Sequence, residues 1–128
     1  MEMSLVGLLF LVLLLGILDF GQFLFLQQAL VDRTRYAARW GALHDPTNAA
    51  AIKNRLLYLR STAPSDGTKP SFGLTADMIS VLTPDAGTDN YRLVIQVSGY
   101  SYKVVSPYLS SPVFGAPIRV SVPLGLYN

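Results

Sequence analysis

The sequence contains no cysteine, so neither disulfides nor thiolate metal sites brace it, and packing alone must hold whatever folds. There is no proline before Pro46 and no charged residue between Met3 and Leu18. A stretch without breakers or charges excludes a loop-rich or amphipathic N-terminus and leaves one continuous helix, expected from about Ser4 to Leu43. A single histidine, His44, sits beside Asp45 at the predicted end of that helix. With no nucleophile motif near it, the pair reads as a turn, and no enzymatic activity is expected. Asp77, Asp85 and Asp89 lack the ligand density of a calcium loop, so neither metal nor cofactor is expected. The formal net charge is only +2, and Arg33, Arg35, Arg39, Lys53, Arg55 and Arg60 are interspersed with other residues, which disfavours nucleic acid as a partner.

What is present is an excess of apolar residues, 51% of the chain against 14% charged, concentrated in the first quarter. From Leu5 to Leu26 only Asp19 and Gln22 are strongly polar. As a helix these residues cover about 33 Å, close to the roughly 30 Å hydrocarbon core of a bilayer. The run lacks a basic flank, exceeds the usual signal-peptide core and is followed by no small-x-small cleavage pattern, so it is expected to stay in the mature protein. Beyond it the pattern becomes amphipathic, with Ala29, Leu30, Ala37, Trp40 and Gly41 opposite Asp32, Arg33 and Arg39. That half is expected to pack on a head.

His44, Asp45 and Pro46 end the helix. Thr47 is the expected cap of a second helix over 48–60, with Ile52, Leu56 and Leu59 on one face. Ser61 to Ser71 reads as a loop. Strands are expected at Met78–Leu82, Tyr91 to about Val104, and Ile118–Leu126, with a proline-rich connection between Ser106 and Pro117. The tyrosines at 91, 100, 102, 108 and 127 are expected to fill a sheet face and its rim. The fold class is thus α+β: a spine over 1–43, then a head over 44–128 with a short helix and a small antiparallel sheet.

Glu2 precedes the apolar run, Gly16-Ile17-Leu18-Asp19-Phe20-Gly21 closes its first part, and Arg35-Tyr36-Ala37-Ala38-Arg39-Trp40 follows. Without gaps, this resembles the TadE-like pilin family of tight-adherence systems, with Ala37 where the family pattern has glycine. The resemblance is specific over about the first 40 residues. It implies a precursor in the inner membrane, trimmed by a prepilin peptidase and drawn by pilus assembly machinery into an extracellular filament of identical subunits. A minor pseudopilin that primes or caps such a pilus, and a membrane-anchored binding module, stand as alternatives.

On that footing the expected assembly residues are Met1, Glu2, Gly16, Asp19, Gly21, Arg35 and Arg39. Glu2 is expected to neutralise the Met1 amine of an adjacent subunit, because an unpaired charge in an apolar core is costly. Asp19 lies inside the apolar run, where an ionisable group needs a partner or water. It is expected to meet an arginine of a neighbour, the alternative being water at the headgroup boundary. Gly16 and Gly21 suit close helix approach or local melting of the spine.

Overall fold

The computed structural model describes residues 1–105, 107 and 112–125. Its first element, α1, runs unbroken from Glu2 to His44, 43 residues and about 65 Å. At its end the His44 ring stacks on Trp40 at 4.5 Å, with Nδ1 3.0 Å from the Trp40 carbonyl oxygen, so side chains cover the last turn. Asp45 then goes extended, as a residue before proline does. Its carboxylate accepts from the Thr47 N–H at 3.0 Å and the Thr47 hydroxyl at 2.6 Å, which holds the Asp45 carboxyl below the usual carboxylate range.

That turn corrects the expected cap. With the Thr47 hydroxyl directed to Asp45, the cap of α2, Ala49–Tyr58, is Asn48, whose side-chain oxygen accepts from the Ala51 N–H at 3.0 Å. The helix also stops two residues earlier than predicted. Leu59 takes a left-handed conformation (φ 60°), its N–H bonding to the Arg55 carbonyl, while the Arg55 guanidinium donates to the Leu59 carbonyl at 2.8 Å. Turned outward by this cap, Leu59 is half exposed, and Leu57 joins Ile52 and Leu56 in the core instead.

The head contains a three-stranded antiparallel sheet of β1 (Ile79–Leu82), β2 (Arg92–Val97) and β5 (Ile118–Pro123), ordered β1-β2-β5. Register runs from Ile79 opposite Val97 to Leu82 opposite Val94, and from Arg92 opposite Pro123 to Val97 opposite Ile118. Period-two alternation sends Leu93, Ile95 and Val97 of the central strand into the core, where they meet Leu30, Ala37 and Ala38 of α1 with Ile52 and Leu56 of α2. Gly41 marks the closest approach: an added Cβ would lie 2.7 Å from Ile52 Cδ1 and 3.0 Å from Leu93 Cδ2. Thr34 is buried at the same level, its hydroxyl donating to the Leu30 carbonyl at 2.7 Å.

The strand expected over Tyr91–Val104 is two strands. At Gly99 the backbone turns (φ 75°), and β3 (Ser101–Tyr102) leaves the sheet to pair with β4 (Val113–Phe114), inside the stretch expected to be only a connection. Tyr100 locks the corner, its hydroxyl donating to the Ala116 carbonyl at 2.6 Å and its carbonyl accepting from the Gly115 N–H at 3.0 Å. A Cβ at position 115 would collide with the Cε2–Cζ edge of the Tyr100 ring. The first strand starts one residue late because Met78 belongs to a 3-10 turn, Ala76–Met78. A second such turn, Ser71–Gly73, closes the expected loop. Tyr100 and Tyr102 are buried as expected and Tyr91 is half-buried. Tyr108, Tyr127 and the expected strand end at Leu126 lie outside the described residues.

Candidate functional site at the junction of spine and head

Residues 2–18 of α1 pack against almost nothing. Leu5, Leu8, Leu9, Phe10, Leu13 and Ile17 are exposed, as are nearly all their neighbours. Each large apolar side chain left in water forfeits about 1.5–3 kcal/mol relative to burial. The segment is therefore built for another medium, and the helix is long and apolar enough to cross a membrane.

Among the described residues, the head first reaches the spine at Asp19. Its Oδ1 accepts from the Val105 backbone N–H at 2.8 Å, a contact between positions 86 residues apart. One turn further, Phe23 meets Tyr102 edge to face at 4.6 Å. The span expected to reach Leu26 thus overlaps the head by about two turns. Residues 2–18, about 26 Å of helix, are the part clear of it.

Between the spine and the β3–β4 ribbon lies a groove of about 1360 Å³. Gly16, Phe20, Gly21 and Phe25 of α1 form one wall, and Phe72, Tyr102 and Val113 belong to the other. The sides are apolar, while Asp19, Gln22 and Lys103 bring polar groups to the rim. The Tyr102 hydroxyl is buried without a hydrogen-bond partner among the described residues, in a residue only 9% exposed. Nothing among the described residues accounts for the glycines: a Cβ at Gly7, Gly16 or Gly21 would meet no described atom within 4 Å, in contrast to Gly41.

Of the expected assembly residues, the structure brings Gly16, Asp19 and Gly21 together in this wall. Met1 and Glu2 stand at the far end of the exposed helix, about 26 Å from Asp19. Arg35 and Arg39 are exposed on the head half of α1. Arg35 lies 3.9 Å from Asp32, while Arg39 borders a smaller cavity of about 440 Å³ with Tyr91 and Leu124. Arg33, expected on the solvated face, instead lays its guanidinium over Phe72 at 5.5 Å, and partial burial pulls its pKa down. Arg55 similarly lies over both Tyr36 and Trp40 at 5.4 Å, tying α2 to the spine.

Sequence reasoning missed Phe72, Tyr102, Lys103 and Val113 as groove residues. They are separated in sequence and share no period; the turn at Gly99 and the β3–β4 pairing carry Tyr102, Lys103 and Val113 to the spine, while Phe72 comes from the 3-10 turn Ser71–Gly73.

A long apolar helix, a short second helix and a small antiparallel sheet define an α+β, pilin-like layout. The family described as TadE-like protein matches residues 1–39, which include the exposed half of the spine and its contact at Asp19. Searches of curated proteins and of solved structures give no significant match.

Proposed function

We propose that the chain is a structural subunit of a tight-adherence type pilus, held first in the inner membrane by α1 and then polymerised through the same helix into an extracellular filament. The observation that carries this reading is the bare apolar stretch over residues 2–18, continuous with a half of the same helix that is fixed in the head core. A plain anchor needs only a span. Here the span is a rigid extension of the head, and any partner that covers it also fixes where the head sits. Covering it with identical helices buries apolar surface at about 25 cal/mol per Å² without any chemistry. The TadE-like match over the same residues supports the reading.

In this role Gly16 and Gly21 permit close approach of neighbouring helices. Met1 and Glu2 form the tip that enters the assembly, where the Glu2 carboxylate needs a cationic partner. Arg35 and Arg39 lie on the outward side of α1, toward adjacent heads, and Asp19 fixes where the head meets the spine. A prepilin peptidase and pilus assembly machinery are the partners this life cycle requires. The chain is read as a shaft subunit, with priming or capping as the alternative. Electron microscopy of shed filaments with mass analysis of their subunits tests it. A regular homopolymer of this chain is expected; its presence only at filament ends would assign the minor role, and membrane retention without any filament would overturn both.

A further inference from the structure

We infer that the groove between α1 and the β3–β4 ribbon is the docking site for the apolar N-terminal segment of a second copy of this chain, with Glu2 of the incoming copy meeting Lys103. This rests on the filament reading above and names the contact by which it propagates. Four observations converge on it. First, a cylinder of about 10 Å diameter and three helical turns occupies about 1300 Å³, the scale of the groove at about 1360 Å³. Second, the groove walls are apolar and expose Phe20 and Phe25 beside Phe72 and Val113, while the segment with matching unmet surface on the same molecule is 2–18.

Third, Gly16 and Gly21 open the wall to a closely approaching backbone, and no contact among the described residues uses the space they leave. Fourth, the polar groups match. Glu2 is the sole glutamate of the sequence and the only acidic residue before Asp19. The groove offers the Lys103 ammonium at its rim, a cationic donor for a carboxylate. A carboxylate entering an apolar site needs such a partner, since an uncompensated buried charge is strongly destabilising.

The geometry has a consequence for symmetry. Groove and tip are different surfaces, so the contact is heterologous, and a heterologous contact that does not close into a ring extends as an open helical filament. The groove cannot be filled by the tip of its own chain, because α1 is one straight element with Glu2 about 26 Å from Asp19.

The absence of cysteine makes the test direct. Leu5→Cys and Val113→Cys are introduced singly and together in the full chain and oxidised in membranes; Leu5→Cys with Phe72→Cys probes a second position on the same wall. Disulfides require Cα atoms about 4.4–6.8 Å apart, so only seated tips are captured. The expected result is a ladder of dimers, trimers and higher species from either double variant and none from the single variants. Lys103→Glu is expected to lower ladder yield about tenfold and Glu2→Lys in the same chain to restore it, the size expected of a charge pair withdrawn from water.

Dimers from Leu5→Cys alone with no ladder from either pair would overturn the groove contact while leaving spine polymerisation standing. A phospholipid retained by the monomer in native mass spectrometry, with no ladder, would overturn it in favour of an acyl chain as occupant. Ladders without any filament by microscopy would uphold the contact and refute the filament.

Discussion

Residues 2–18 and 19–44 belong to one helix with no break between them, yet the first stretch leaves its side chains bare while the second supplies Leu30, Thr34, Ala37, Ala38 and Gly41 to the core. Backbone hydrogen bonding is the same in both. What differs is where the rest of the chain returns. The sheet and α2 cover one side of the second half, and among the described residues the head's last reach toward the first half is the Val105 amide on Asp19. Glycine shows the same divide, since Gly41 is required by Ile52 and Leu93 whereas Gly7, Gly16 and Gly21 are required by nothing among the described residues. A residue type that is costly in a helix by about 1 kcal/mol has an internal reason in one half and needs an external one in the other.

The largest effect that separates the halves is truncation of a leucine. Leu30→Ala is expected to destabilise the solubilised chain by about 2–5 kcal/mol in chemical denaturation, the range for a fully buried leucine. Leu13→Ala, in the same helix but 59% exposed, is expected to leave head unfolding unchanged. Equal effects would show that the halves do not differ as described.

Next come the glycines, which should respond with opposite sign. Gly41→Ala crowds Ile52 and Leu93, and an overpacking cost of about 1–3 kcal/mol outweighs the helix-propensity gain of about 1 kcal/mol. Gly16→Ala meets open space, so the isolated subunit is expected to gain helix stability, by up to about 1 kcal/mol, while filament yield falls. Thermal melts of the subunit and filament counts read the two effects separately.

The boundary itself is tested at Asp19. Asp19→Ala removes the acceptor for the Val105 N–H and is expected to cost about 1 kcal/mol. Faster hydrogen exchange should be confined to the segment around Val105, with β2 still protected.

The smallest effect is a pH dependence confined to the head. Burial, and secondarily Tyr102, raise the Tyr100 pKa above its ordinary value. The unfolded chain therefore ionises first as pH rises through 10. The stabilisation is complete below that pH and is lost as pH climbs through the higher folded value. Stability curves of wild type and Tyr100→Phe between neutral and strongly alkaline pH should converge at the alkaline end.

Much of this was legible from residue order. Absence of proline and charge predicts α1 to within two residues at its start and one at its end. The short strand runs predict β1 to within one residue and the start of β5, because β-branched alternation is a local signal, whereas β5 stops at Pro123, short of the expected Leu126. The errors fall where one local signal had to yield to another. Thr47 looks like a cap until Asp45 takes its hydroxyl, and the run from Tyr91 to Val104 looks like one strand until Gly99 turns it. The groove had no local signal, since its walls are drawn from α1, the turn at Phe72 and both strands of the ribbon.

By itself, then, the sequence determined that an apolar helix too long for the head would project from it, because helix formation and hydropathy are properties of neighbouring residues. It also determined that Glu2 and Asp19 would be the charges along that projection. Only the tertiary structure decided that Asp19 is where the head begins, and that Gly16 and Gly21 face a groove rather than the core. Those outcomes depend on where Tyr102 and Val105 land, and loop closure over more than 80 residues is written in no single segment.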